Sequence, residues 1–251
     1  MGLYPQKVKL TENHEYLDDN NARYMGFSKF CDEFLIKPFN SAGAAYGVAK
    51  SAINKGENMS AQEVLDGWEQ QRDNGVRIDS AIQLFLETKT ILPENEDIAE
   101  LIDSVCAEYS TYKSTHCQSV VYNEHYKVGG SPDLFGLTSN RADGQFEMSD
   151  IKCFEKDDNL HDHKGWLFPP MSHLSNTKVM KITLQLSFYA YQLEELLGKR
   201  CRKLFIHLIN PTTKTHQKIV VPYLKNDIIL LLEHNKEKIL EYSKKPEESL
   251  F

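Results

Sequence analysis

The chain has no long hydrophobic run. Its longest apolar stretches, such as Ile228 to Leu232, fall far short of the roughly 20 residues that cross a bilayer, so neither a transmembrane helix nor a membrane partner is expected. The N-terminus shows no basic region followed by an apolar stretch and a small-residue cleavage site. Gln6 stands where a myristoylation motif wants Ser or Thr, so a cytoplasmic protein is expected. Cysteine is sparse and odd in number (Cys31, Cys106, Cys117, Cys153 and Cys201), with no C-x-x-C pair, which argues against a disulfide framework or a zinc knuckle and for buried reduced thiols. Internal repeats and low-complexity linkers are also missing, so nothing forces a domain boundary within the 251 residues. A composition of 41% hydrophobic and 26% charged residues supplies a core and excludes wholesale disorder.

Positive charge is scarce over most of the chain and concentrated in one part. Residues 1–162 carry 15 basic and 28 acidic side chains, whereas residues 163–225 carry 10 and 2. The net charge of -7 therefore hides a basic segment that includes Lys164, Lys178, Lys181, Lys199, Arg200, Arg202 and Lys203. Such a segment suits a phosphate-binding face and equally an ordinary solvated surface.

Residues 1–24 are polar and read as an N-terminal arm without assigned structure. The remainder, 25–251, reads as one domain with a helical part (25–115), a sheet core (116–225) and a C-terminal helix (226–243). Helical spacing is expected over 28–55, broken at Pro38. A second helix starts at a Ser60/Glu63 capping box, carries Val64, Leu65 and Trp68, and ends at Asn74-Gly75. Further helices are expected over 76–88, on Ile78, Ile82, Phe85 and Leu86, and over 97–113. The texture then becomes strand-like at 119–122, at 127–137 around Gly129-Gly130, and at 145–154 after an Asp143-Gly144 turn, which together predict a three-stranded meander. A long polar loop over 155–178 precedes a helix at 181–197 that is apolar nearly all round and therefore buried. Strands at 203–209 and 218–223 flank Asn210-Pro211, and an amphipathic helix follows at 227–242.

Two motifs carry chemistry. Asp133 closes Gly-Ser-Pro-Asp on the middle strand, and Asp150-Ile151-Lys152 lies on the next. Because strand side chains alternate, Asp150 and Lys152 share a face while Ile151 points into the core, and the hairpin brings Asp133 alongside. Converging carboxylates make a hard-oxygen site for Mg²⁺ or Mn²⁺, and a nearby ammonium can position a metal-bound water, which are the parts phosphodiester hydrolysis needs. Two other acid-x-Lys triples, Glu87-Thr88-Lys89 and Asp162-His163-Lys164, lie on no predicted strand beside an aspartate. His161 and His163, in a polar loop without partner cysteines, read as solvated.

In these residues the chain resembles the PD-(D/E)xK nuclease superfamily, within it the RecB-like and phage exonuclease branch. The matching residues are Gly130-Ser131-Pro132-Asp133, Asp150-Ile151-Lys152 and a Gln-x-x-x-Tyr motif formed by Gln185 and Tyr189 on the buried helix. The resemblance implies an α/β fold, a restriction-endonuclease-like α-β-β-β-α-β core with a mixed central sheet and added N-terminal helices. It implies that Asp133, Asp150 and the Ile151 carbonyl bind metal, that Lys152 serves the nucleophilic water, and that Gln185 and Tyr189 steady the site or touch DNA.

One departure stands out. Relatives carry Gly-x-x-x-His and, four residues on, Glu; here the stretch reads Gly75-Val76-Arg77-Ile78-Asp79 and then Gln83, so Asp79 and Gln83 are the weaker candidates for a second metal. With only Cys201 beyond Cys153, no iron-sulfur cluster is expected. Lys178 and Lys181, ahead of Gln185, are the expected DNA contacts. The expectation is a DNA exonuclease of recombination, repair or genome processing, phage-encoded by resemblance, acting with DNA and with a recombination partner or a homo-oligomer. The alternative is an impaired nuclease fold with a DNA-binding, structural or partner-binding role.

Overall fold

The computed structural model describes residues 3–139, 144–154 and 160–244. The architecture is mixed α/β, with two five-stranded sheets that each contain one parallel pair.

The N-terminal segment is not an unstructured arm. It forms β1 (Val8–Leu10), β2 (Tyr16–Asp18) and β3 (Arg23–Gly26), which join β6 (Val128–Gly130) and β5 (Val121–Asn123) in a small sheet ordered β1-β2-β3-β6-β5. Two short helices follow. In α1 (Phe27–Phe34), Phe27, Phe30, Cys31 and Phe34 repeat at helical spacing and are buried. In α2 (Ser41–Asn54), the Asn40 side chain accepts the Gly43 N–H at 3.0 Å as N-cap.

The Ser60/Glu63 capping box opens α3 (Ala61–Thr88), but Asn74-Gly75 does not end it. The two helices expected here are one, which Lys89 closes in the left-handed conformation. The first half of α3 packs on α2, and its second half buries Ile78, Ala81 and Ile82 against α4 (Ala99–Tyr109) and the main sheet. That tertiary burial outweighs the cost of an interior glycine.

The main sheet runs β10-β9-β8-β7-β4, built from β4 (Ser114–Cys117), β7 (Leu134–Leu137), β8 (Gln145–Cys153), β9 (Arg200–Asn210) and β10 (Thr215–Val221). β8 and β9 are parallel, joined through α5 (Lys178–Leu197), which Gly198 ends as expected; α6 (Lys225–Lys244) completes the chain. Phe146 and Met148 of β8 pack with Leu184, Leu186 and Phe188 of α5, whereas Ile151 packs with Ile78, Ile82 and Ile102 of α3 and α4. The sheet is therefore covered on both faces.

The expected meander is corrected. Its middle strand is two strands in different sheets, β6 beside β5 and β7 beside β8. Pro132 has no N–H for a ladder, so the chain leaves one sheet at Gly130 and enters the other at Leu134. Of the predicted Asp143-Gly144 turn, Asp143 lies outside the described residues, as does 155–159 of the long loop. The rest of that loop is held by a bridge between Trp166 and Ser175 and by the Phe168 N–H on the Leu35 carbonyl at 2.9 Å. Among the described residues no helix is long and apolar enough to cross a membrane.

Candidate active site

Three stretches of chain deliver carboxylates to one end of β8. Asp133 sits where the chain passes from the small sheet to the main one, Asp150 lies on β8 just beyond the residue paired with Leu134, and Asp79 comes from the second half of α3. Asp79, Asp133, Ile151 and Lys152 line a cleft of about 470 Å³, together with Trp68, Arg72 and Lys178. Asp150 itself is 2% exposed.

Asp133 is held at both oxygens. Oδ2 accepts the Ile151 N–H at 2.7 Å, and Oδ1 accepts Gln118 Nε2 at 3.3 Å. The same Gln118 nitrogen donates to Asp79 Oδ2 at 3.0 Å. Asp150 is held by an ion pair, with Lys152 Nζ 2.5 Å from its Oδ2. Lys152 Nζ also donates to the Ile151 carbonyl at 3.3 Å.

The electrostatics follow first from burial and then from the crowding of the carboxylates. Burial, and then the Asp133 carboxylate, push Asp79 up to about 7. Burial also pushes Asp150 up to about 7, against the pull of Lys152 and with the help of Asp133. Burial opposes the Lys152 ammonium too, but the carboxylates, Asp150 first, outweigh it and hold the pKa above the ordinary lysine value. Three carboxylates share one lysine.

Gln185 and Tyr189 sit one turn apart on α5, and Gln185 Nε2 donates to the Tyr189 hydroxyl at 3.3 Å. The Tyr189 ring packs closely against Gly130, where an added Cβ would stand 2.0 Å from ring atom Cε1. Tyr189 thus braces the segment that carries Asp133, and burial keeps its phenol neutral by raising its pKa. Lys178 reaches the cleft and lies over the Phe154 ring, 5.5 Å from its centre. Lys181, one turn along, is half-buried near Cys31. Gln83, one turn beyond Asp79 on α3, donates its amide to Glu87 at 3.3 Å.

Sequence reasoning missed Gln118. No motif or spacing singles out a lone glutamine between short strands; only the fold shows that it bridges two carboxylates.

The residues present fit one hard divalent cation. The Asp133 and Asp150 carboxylates and the Ile151 carbonyl are hard oxygen donors that converge at one end of β8, and Asp133 also raises the Asp150 pKa, so the crowded acids would gain from a cation. Among the described residues no three His, Cys, Asp or Glu side chains come together as a metal-binding group, so a main-chain carbonyl would have to complete the set.

No family model matches the chain, and no curated protein does. Among solved structures, a protein from Eubacterium rectale named as a candidate exonuclease superposes with a TM-score of 0.44 at 16% identity, over 94% of this chain and 86% of that one. The structure of SSO0001 superposes with a TM-score of 0.32 at 17% identity, over 66% of this chain and 70% of that one. Likeness this slight carries no weight for fold or function.

Proposed function

We propose that this protein is a metal-dependent DNA nuclease built on a PD-(D/E)xK core, hydrolysing phosphodiester bonds from a DNA end. The observation that carries the reading is the pair of converging aspartates, Asp133 and Asp150, beside Lys152 at an open cleft. The element order supports it: α4, then β4, β7 and β8 of the main sheet, then α5 and β9 run α-β-β-β-α-β, with β5 and β6 of the small sheet inserted between β4 and β7. Asp133, Asp150 and the Ile151 carbonyl would hold Mg²⁺ or Mn²⁺, which supplies charge neutralisation at the phosphate and a polarised water. Lys152 keeps a cation where a water would attack, and Tyr189 with Gln185 fixes the Asp133 segment by packing on Gly130. Lys178 on the cleft wall supplies a phosphate contact. By resemblance the setting would be recombination, repair or genome processing in a phage or mobile element.

A second reading, a nuclease fold that binds DNA or a partner protein without cutting, is favoured by one observation: Gln83 spends its amide on Glu87 where relatives place a carboxylate at the metals. End-labelled linear DNA and covalently closed circles of the same sequence, each incubated with Mn²⁺, Mg²⁺ or EDTA, separate the two. The expected result is progressive loss of linear DNA into short products, resistance of the circles, and arrest by EDTA. Circles nicked as fast as linear DNA is lost would mean an endonuclease, and loss of neither substrate would favour the second reading.

A further inference from the structure

We propose that Gln118 is a positioning residue that ties Asp79 of α3 to Asp133, a carboxylate of the metal site proposed above, an inference that rests on the nuclease reading. The backbone shows the constraint first. Gln118 has φ 44°, a left-handed conformation unfavourable for a residue with a side chain, in the turn between β4 and β5. There its N–H donates to the Asp133 carbonyl at 3.1 Å, so the turn is pinned to the residue whose side chain it serves.

The side chain completes the tie at both ends. Ser131 Oγ donates to Gln118 Oε1 at 3.3 Å, which turns the NH₂ group toward the acids. Its hydrogens then reach Asp79 Oδ2 at 3.0 Å and Asp133 Oδ1 at 3.3 Å. These carboxylates come from different elements and repel each other, so something must hold them together before a cation arrives. A neutral NH₂ does this without competing with the cation: a lysine or arginine here would neutralise the acids, and a glutamate would add to the repulsion. Gln118 therefore joins α3, the β4–β5 turn and the sheet-to-sheet crossing at a single amide.

Two variants separate the amide from the backbone. Gln118→Gly relieves the left-handed strain and deletes the amide, whereas Gln118→Asn keeps an amide on a residue that tolerates this conformation. Calorimetric titration of the metal-free full chain with MnCl₂ alone, thermal melting, and the Mn²⁺ dependence of linear DNA cleavage are measured for each. Gln118→Gly is expected to melt at or above the wild-type temperature, to bind Mn²⁺ at least tenfold more weakly, and to need correspondingly more Mn²⁺ for half-maximal cleavage. Gln118→Asn should recover part of the affinity.

Wild-type affinity in Gln118→Gly, a large fall in its melting temperature, or no Mn²⁺ uptake by the wild type would each overturn the inference. Uptake that depends on Gln118 in a protein that cuts no DNA would sink the nuclease reading and leave this one standing. Cleavage with equal Mn²⁺ affinity in all three proteins would do the reverse.

Discussion

A carboxylate at 2% exposure is costly to keep, and Asp150 is kept beside a lysine 2.5 Å away. Asp150→Ala and Lys152→Ala should each lower cleavage at least about a hundredfold, since one removes a proposed metal ligand and the other the cation beside the attacking water. Near wild-type rates in either purified variant would move the site elsewhere. The same residue sets part of the pH dependence of stability. With its folded pKa raised to about 7 from 3.8, Asp150 is protonated in the folded chain where the unfolded chain has already released its proton, so its destabilising effect is absent below about 3.8 and grows up to about 7. His207 works the other way. Fully buried and bonded to Tyr109 and His216, it is pushed by burial, His216 and Lys218 from 6.5 to about 3, so its contribution is present above 6.5 and is lost as pH falls toward 3. Melting curves from pH 4 to 8 for the metal-free proteins distinguish the two groups. Against wild type, His207→Gln should flatten the acid-side loss and Asp150→Asn the fall toward neutral pH. Parallel shifts at every pH would contradict both assignments.

At the scale of elements, two glycines of the sequence motifs behave oppositely. Gly75 lies inside α3, and an added Cβ would meet only Cys153 Cβ at 3.7 Å, an ordinary contact. Gly75→Ala should therefore stabilise the protein by about 0.5–1 kcal/mol in urea unfolding, the gain in helix propensity. Gly130→Ala should instead displace Tyr189, lowering both the melting temperature and cleavage; an unchanged melting temperature would show that the ring is free to move. The reading of Asn74-Gly75 as a helix end shows where sequence loses its grip, because a local breaker worth about 1 kcal/mol yields to burial of Ile78 and Ile82 that the local pattern does not weigh. β1 to β4 were missed for a different reason. They span three or four residues each, too few for an alternation to show, and β1 buries Val8 alone. By contrast α5 was legible from its apolar girth and Gly198. The grouping of Asp150 with Lys152 was legible because strand alternation is local and Ile151 duly packs inward. The tie through Gln118 depends on three elements meeting, which no local window contains.

Across the whole molecule, part of the basic segment is committed to ion pairs. Lys218 is paired with Glu108, Lys225 with Glu194 at 2.6 Å and Arg202 with Glu147 at 3.4 Å, while Lys178 stands in the cleft. Lys178→Glu should therefore weaken DNA binding and reduce the slope of log affinity against log salt by about 1 or more, whereas Lys218→Glu should leave that slope unchanged. Equal effects in an anisotropy titration over a salt series would place the phosphate track on β10. The crossing at Pro132 has a consequence in time. Asp133 takes its final position only when the small sheet, whose parallel pairing joins Met25 to Val128 across a long stretch of sequence, and the main sheet have both formed. Chain closure over such distances is slow compared with helix formation. On dilution from urea, helical circular dichroism should return first and Mn²⁺ uptake last, so competence is the final event of refolding; simultaneous recovery of the two signals would show that the sheets assemble as one step.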